Sequence, residues 1–252
     1  MPQASVSRLF DPTRVYSEEF FSILGAKQIS AVDVSDFEGA QVIHDMNLPI
    51  PRELNSSFDL VLDGGTIEHV FDLATALRNA AQMVRPGGHF ISQTQANNFC
   101  GHGFYQFSPE LYYRFFCSQN GYEVESCILW EDIPGSHFYD VPDPDAVRDR
   151  INLTSEFGTL MLVQAQRRGD VSRDFIPQQS DYVRLWHEES PKPRAAIESS
   201  ARLRLVKSRL KQIPALRNVV QSKRAAAQYR GLSIKRNLNG YLTPVLGLEV
   251  MK

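Results

Sequence analysis

Apolar positions along this chain follow two alternating rhythms. Ile29-Ser30-Ala31-Val32, Val42-Ile43-His44 and Asp59-Leu60-Val61-Leu62 have the length and bounds of short buried strands, and they run into Asp33, Asp45 and Asp63 respectively. After the third run the rhythm changes. FDLATALRNAAQMV puts Leu73, Leu77, Ala80 and Val84 on one face at helical spacing. Arg85-Pro86-Gly87-Gly88 stops that helix, the two glycines reading as helix termination rather than phosphate binding, and residues 89–94 (HFISQT) read as the next strand. Strand, helix and strand form a βαβ unit, which is right-handed on general grounds. Ser108-Pro109-Glu110 has the order of a helix start, with Ser108 as N-cap and Pro109 in the first turn, and predicts a helix through Phe116. Asn120-Gly121 ends that segment. YEVESCILWE and TLMLVQAQR then predict two further strands, an antiparallel finish to the sheet. The whole pattern predicts an α/β fold: a Rossmann-like three-layer sandwich with a mostly parallel sheet, an antiparallel last strand and a C-terminal basic helical tail.

Composition adds bounds. At 252 residues, 42% hydrophobic and 22% charged, the chain can bury a sizeable core as one domain with extras. It has no run of about eighteen apolar residues, and its first residues lack the charged-then-apolar order of a secretory signal, so a cytoplasmic protein is expected. Three cysteines, an odd number without a CxxC pair, suggest buried thiols rather than disulfides or zinc ligation.

Charge divides the chain near Pro191. Residues 191–252 hold 14 Lys and Arg against Glu198 and Glu249, leaving 13 bases against 27 acids in residues 1–190. The domains expected are a body over residues 1–170, a linker over 171–190 anchored by Tyr182 and Trp186, and an extension over 191–252. In AIESSARLRLVKSRLKQI, Leu203, Val206, Leu210 and Ile213 share one helical face, with arginines and lysines on the others. Such a helix suits an anionic membrane surface, self-association or docking on the acidic body. A nucleic-acid partner is disfavoured, because Tyr229 is nearly alone as a stacking residue.

In doubly wound sheets ligands bind beyond the carboxyl ends of the strands, near the point where strand order reverses, and Asp33, Asp45 and Asp63 all fall at such ends. A strand ending at Asp33, then FDLVLDGGTIEHV, a helix, RPGGHFI and a long polar loop resemble class I S-adenosylmethionine-dependent methyltransferases over residues 5–167, most specifically over 58–91. VDVSDFEGAQVIHDMN and NNFCGHGFYQFSPELYYRFF resemble a bacterial subgroup of them. The resemblance implies S-adenosylmethionine as cofactor and assigns roles by position. Asp33 would hold the ribose hydroxyls through a carboxylate able to accept two hydrogen bonds. Asp45 would accept from the adenine amine, Met46 would pack on the ring, and Asp63 and Gly64 would face the methionine moiety.

Two departures accompany it. The family's first strand ends in a glycine-rich turn, and no glycine precedes Gly25 here; residues 6–10 and 16–24 occupy the places of the first strand and helix, unless the true start lies upstream. The link over residues 35–41 is short for a parallel crossover, so its helix is expected to be vestigial.

Methyl transfer from a sulfonium is an in-line displacement that asks for alignment and for removal of the acceptor's proton. His69 and His102 fall at the open end of the sheet as candidate bases, against the plainer reading that His69 only caps a helix. Loop 95–109 carries the candidate substrate contacts Asn98, Tyr105 and Gln106, against the reading of a lid whose aromatics pack on the body. Glu68 with His69 offers only two metal ligands, so no metal is expected. The function read from these residues is methylation of a hydroxyl on a small molecule or glycan. A degenerate fold serving as a non-catalytic scaffold is the rival, and a nicotinamide dehydrogenase is disfavoured by the missing GxGxxG.

Overall fold

The computed structural model describes residues 17–188 and the backbone of residues 243–249. Along the chain these form α1 (Glu18–Ile23), β1 (Val32–Asp33), β2 (Val42–Ile43), β3 (Phe58–Asp63), α2 (Leu73–Met83), β4 (Val84–Asn97) and α3 (Pro109–Phe115), then β5 (Tyr122–Glu131), β6 (His137–Asp140), α4 (Pro144–Val147), β7 (Thr159–Arg167), α5 (Ser180–Glu188) and β8 (Thr243–Glu249). The expected first strand over residues 6–10 and the amphipathic segment 196–213 lie outside the described residues.

Six strands make one sheet in the order β3-β4-β7-β5-β6-β8, and β1 and β2 pair separately. The arrangement is Rossmann-like with a mixed sheet, which corrects the expectation of a mostly parallel one. Among the described residues only β1–β2 and β3–β4 pair in parallel. The pairs β4–β7, β7–β5, β5–β6 and β6–β8 are antiparallel. The connection from β5 to β6 is short enough only for a hairpin, which fixes that pair as antiparallel. Residues 243–249 join the sheet beside β6, and the rest of the expected basic tail lies outside the described residues.

β5 and β7 form as their sequences predict, and they alternate between core and surface along most of their length. Gly121 ends the turn before β5 with φ 71°. The core lies between this sheet, α2 and α3: Phe90, Tyr112, Phe116 and Tyr122 are almost wholly buried, with the Phe90 and Phe116 rings stacked 4.5 Å apart. Ser108 occupies the N-cap position of α3 with extended backbone, although its hydroxyl makes no capping bond.

The Arg85-Pro86-Gly87-Gly88 stretch behaves differently from its reading as a helix stop. α2 ends at Met83 and β4 starts at once, with Val84 opposite Phe58 and His89 opposite Leu60. Four residues therefore lie between partners that face only one residue on β3, so the glycines form a bulge within the strand. Short β1–β2 pairing without an intervening helix agrees with the brevity of the 35–41 link.

Residues 180–188 form a helix within the expected linker. Trp186 is 64% exposed, while Tyr182, 46% exposed, meets the Arg150 guanidinium 5.9 Å from its ring centre; Arg150 Nε also meets Asp181 Oδ2 at 2.6 Å, and Arg184 meets Asp145 at 2.9 Å. The thiols also differ from expectation, Cys127 being buried, Cys117 half-buried and Cys100 exposed. Among the described residues no helix is long and apolar enough to cross a membrane.

Candidate active site

Asp33 and Asp63 close β1 and β3, Asp45 follows β2, and a bond from Asp72 N to Asn47 Oδ1 joins the segment after β2 to the one after β3. Asp33 closes β1 with its side chain turned back on its own chain: Oδ1 accepts from Ser35 N at 2.8 Å and from Ser35 Oγ at 3.2 Å. Its Oδ2 takes neither bond. After β2, Asp45 Oδ1 accepts from Asn47 N (2.9 Å) and Asn47 Nδ2 (2.8 Å). The backbone bond from Asn47 and then its side-chain bond hold the Asp45 pKa below the ordinary carboxylate value, so the group is anionic at neutral pH.

The segment after Asp45 is fastened to α2 by a residue that sequence reasoning missed. Asn79, 2% exposed, accepts from Ile50 N (3.1 Å) and donates to the carbonyls of Met46 (3.2 Å) and Leu48 (2.8 Å). Met46 packs against the core beside it. An asparagine on the buried face of an alanine-rich helix, flanked by Ala76 and Ala80, was the available signal, because a polar side chain there must find partners.

Asp63 is buried and both its oxygens are engaged. Oδ1 accepts from Thr66 N (2.9 Å) and Ile67 N (3.2 Å), while Oδ2 accepts from Ser92 Oγ (2.7 Å). Since the Ser92 proton is given to Asp63, Tyr112 Oη must donate to Ser92 Oγ across 3.0 Å. Burial, and then the charge of Asp63, push the Tyr112 phenol far up, which keeps it a neutral donor. This chain of bonds fixes the turn over residues 63–69. A Cβ built on Gly64 would meet nothing within 4 Å, so packing within the protein does not require glycine there. The space in front of it is open for a ligand.

The turn ends in the single helical turn Ile67–His69, which buries Glu68 and exposes His69. The imidazoles of His69 and His102 approach edge to face, with their Nε2 atoms 3.2 Å apart. Glu68 Oε1 lies 3.9 Å from His102 Nε2, and Glu68 Oε2 receives a long bond from Thr94 Oγ1 at 3.4 Å. Burial first, and then the neighbouring Asp63 charge, push the Glu68 pKa up. The two candidate bases, 33 residues apart, are thus brought together over one buried carboxylate.

His102 is held there by its loop. Gln95 Nε2 donates to the carbonyls of His102 (2.9 Å) and Tyr105 (3.1 Å), and Phe104 N donates to Glu68 O at 2.8 Å. Gly103 makes the approach possible: its φ is 68°, and a Cβ would come within 2.9 Å of Glu68 O. The remaining candidates brace the same loop. Asn98, at φ 60°, donates to Ser155 O, Ser155 Oγ and Phe157 O; Gln106 Oε1 accepts from Phe99 N; and Tyr105 Oη donates to Phe71 O. Phe71 and Phe104, 72% and 64% exposed, meet edge to face at 5.8 Å and form an apolar rim beside the histidines.

These residues fit an adenosyl sulfonium. Asp33 and the anionic Asp45 offer acceptors for hydroxyl and amine donors, and open space lies before Gly64. With both oxygens engaged, Asp63 fixes the turn over residues 63–69.

Comparison with known proteins agrees. A family model described as a methyltransferase domain matches residues 25–92, which run from just after α1 through β1, β2, β3 and α2 into β4. No curated protein matches the sequence. Among solved structures, a methyltransferase from Bacillus halodurans C-125 is 14% identical with TM-score 0.40, covering 61% of this chain and 87% of that one. The 1,6-didemethyltoxoflavin-N1-methyltransferase of Burkholderia thailandensis, determined with S-adenosylhomocysteine, is 18% identical with TM-score 0.38, covering 62% and 68%. An S-adenosylmethionine-dependent methyltransferase from Mesorhizobium loti is 17% identical with TM-score 0.37, covering 60% and 86%. Likeness at that level carries no argument about substrate or site. What this chain shares with the methyltransferase-domain family is thus the stretch 25–92, which carries β1 to β3, α2 and the start of β4.

Proposed function

We propose that the chain methylates a hydroxyl of a small molecule or glycan, with the acceptor seated between the His69–His102 pair and the Phe71–Phe104 rim. One observation carries this reading: the two Nε2 atoms stand 3.2 Å apart beside a buried carboxylate, on the turn that leaves the carboxyl end of β3. When bound, the cofactor supplies an electrophilic methyl. Asp33 holds the ribose hydroxyls through the carboxylate oxygen left free of its turn. Asp45 accepts from the adenine amine, and Met46 packs on the ring. Asp63 and Gly64 line the methionine end. The acceptor hydroxyl lies against His69 or His102, and a ring nitrogen not engaged in the contact between the two imidazoles takes its proton. Asn98, Tyr105 and Gln106 keep the acceptor loop in one shape, and the exposed aromatic rim supports the apolar face of a sugar or ring.

Calorimetric titration of S-adenosylhomocysteine into the full chain tests the cofactor half. Heat from the wild type, with binding lost or much weakened in Asp33→Ala, is expected. No heat from the wild type removes the enzyme reading in favour of a scaffold, and unchanged affinity in the variant removes the ribose role of Asp33.

A further inference from the structure

Glu68, His69 and His102 offer three ligand atoms that all lie within 4.8 Å of one another. The pair Glu68-His69 alone was too little to suggest a metal, because the third ligand comes from a loop 33 residues on. We propose that these three side chains bind a divalent transition ion of the zinc, cobalt or manganese type, with the remaining coordination positions open toward the acceptor.

Geometry supports this first. Two metal–ligand bonds of about 2.1 Å at a tetrahedral angle hold their donor atoms about 3.4 Å apart. His69 Nε2 and His102 Nε2 are separated by 3.2 Å, and His102 Nε2 and Glu68 Oε1 by 3.9 Å. Both imidazoles are exposed, so a small rotation closes the set without moving backbone.

Electrostatics point the same way. The Glu68 side chain is 3% exposed, and among the described residues no lysine or arginine forms an ion pair with it. The Thr94 hydroxyl at 3.4 Å is a weak substitute, and Asp63 nearby adds like charge. A buried carboxylate in that setting is costly unless a cation joins it.

The third argument is positional. Glu68 sits on a turn fastened by Asp63, Thr94 can orient its second oxygen, and Gln95 and Gly103 hold the His102 backbone against Glu68. Ligands fixed from behind by hydrogen bonds are how metal sites are kept in shape.

Two histidines and one carboxylate are the donor set of catalytic zinc sites and of other open divalent sites, and favour a nitrogen-binding transition ion over magnesium. Ion binding stands independently of methyl transfer. Its use rests on the methyltransferase reading: an acceptor hydroxyl on an open coordination position is acidified and releases its proton to water, and the histidines then serve as ligands instead of bases.

The test titrates Zn2+ and Co2+ into the metal-stripped full chain without cofactor or acceptor, by calorimetry and by the visible spectrum of Co2+. One equivalent is expected to bind, with nitrogen and oxygen ligation, and Mg2+ to bind far more weakly. Binding should vanish in His102→Ala and in Glu68→Gln, and persist in Cys100→Ser, which removes the exposed neighbouring thiol. Thr94→Val is expected to weaken it by about tenfold. Absence of a one-equivalent site in the wild type overturns the proposal. So does binding that survives His102→Ala, an exposed change with little reason to disturb folding, or binding lost in Cys100→Ser. Because the readout needs neither S-adenosylhomocysteine nor turnover, its failure is distinct from failure of the methyltransferase reading.

Discussion

Replacing Asn79 by alanine removes the clamp between α2 and the segment carrying Asp45 and Met46. Three hydrogen bonds are lost, to Ile50 N, Met46 O and Leu48 O. They do not count equally. Ile50 is 7% exposed, so its N–H is left unpaired in the interior at a cost of about 1–3 kcal/mol. Leu48 is 58% exposed, and water can replace the amide at its carbonyl. Met46 O falls between. Better helix propensity in alanine returns roughly half a kcal/mol, so the net loss is about 1–4 kcal/mol, a large part of the ~5–15 kcal/mol that stabilises a typical domain. For a chain of this size that lowers Tm by about 2–15 °C. The freed segment must also be reordered on binding, at about 1–2 kcal/mol, which weakens S-adenosylhomocysteine binding by roughly tenfold. Thermal melts followed by circular dichroism and a calorimetric titration read both effects. A variant with wild-type Tm and affinity would refute the reasoning, since the bonds would then be replaceable by water at no cost.

Two further perturbations address other joints. In Gly88→Ala the added methyl meets Asp59 O at 2.6 Å and Arg85 O at 3.0 Å, both backbone atoms, so the β3–β4 bulge has to shift; destabilisation of about 1–3 kcal/mol is expected in urea unfolding. Asp72 caps α2, accepting from Thr75 N at 3.1 Å and Thr75 Oγ1 at 2.8 Å, and these bonds, the backbone one first, hold its pKa below 3.8. Its contribution is therefore present above that pH and lost as pH falls through the lowered value, so the Tm gap between wild type and Asp72→Ala should be constant from neutral pH to about 4 and close below it.

Elements whose evidence is local were legible in the sequence. β5 and β7 are apolar runs bounded by turns, and α2 shows its buried stripe at helical spacing. What depends on the partner was not. Period-2 alternation is the same for parallel and antiparallel pairing, so it says nothing of strand direction, and the sheet proves mixed. Pro86-Gly87-Gly88 announces a change of direction, but only pairing of Phe58 with Val84 makes it a bulge in a strand instead of the end of a helix. Within the site, acids at strand tips and histidines beyond them could be named from position. Their bonding could not, because Asp63 meets Ser92 and His69 meets His102 across some thirty residues. Asn98 and Gln106 illustrate the limit: amides in a glycine-containing loop look available for a ligand, yet both brace the loop itself.

The two parts of the candidate site are built to different standards, and α2 joins them. β1 and β2 contribute two residues each, with Val34, Phe37, Ile43 and Leu48 more than half exposed around them. A ribbon of that size has no independent stability in water. Its carboxylates are therefore placed by side-chain braces: Asn79 binds residues 46–50, and Asn47 Oδ1 accepts from Asp72 N at 2.9 Å. Both braces end on α2 or its cap, and α2 begins three residues after the Glu68-His69 turn, which the Asp63–Ser92–Tyr112 chain ties to the core. The placement of Asp45 relative to the histidine pair is consequently set through α2 and its cap, to which the segment after β2 is braced and which the Glu68-His69 turn leads into.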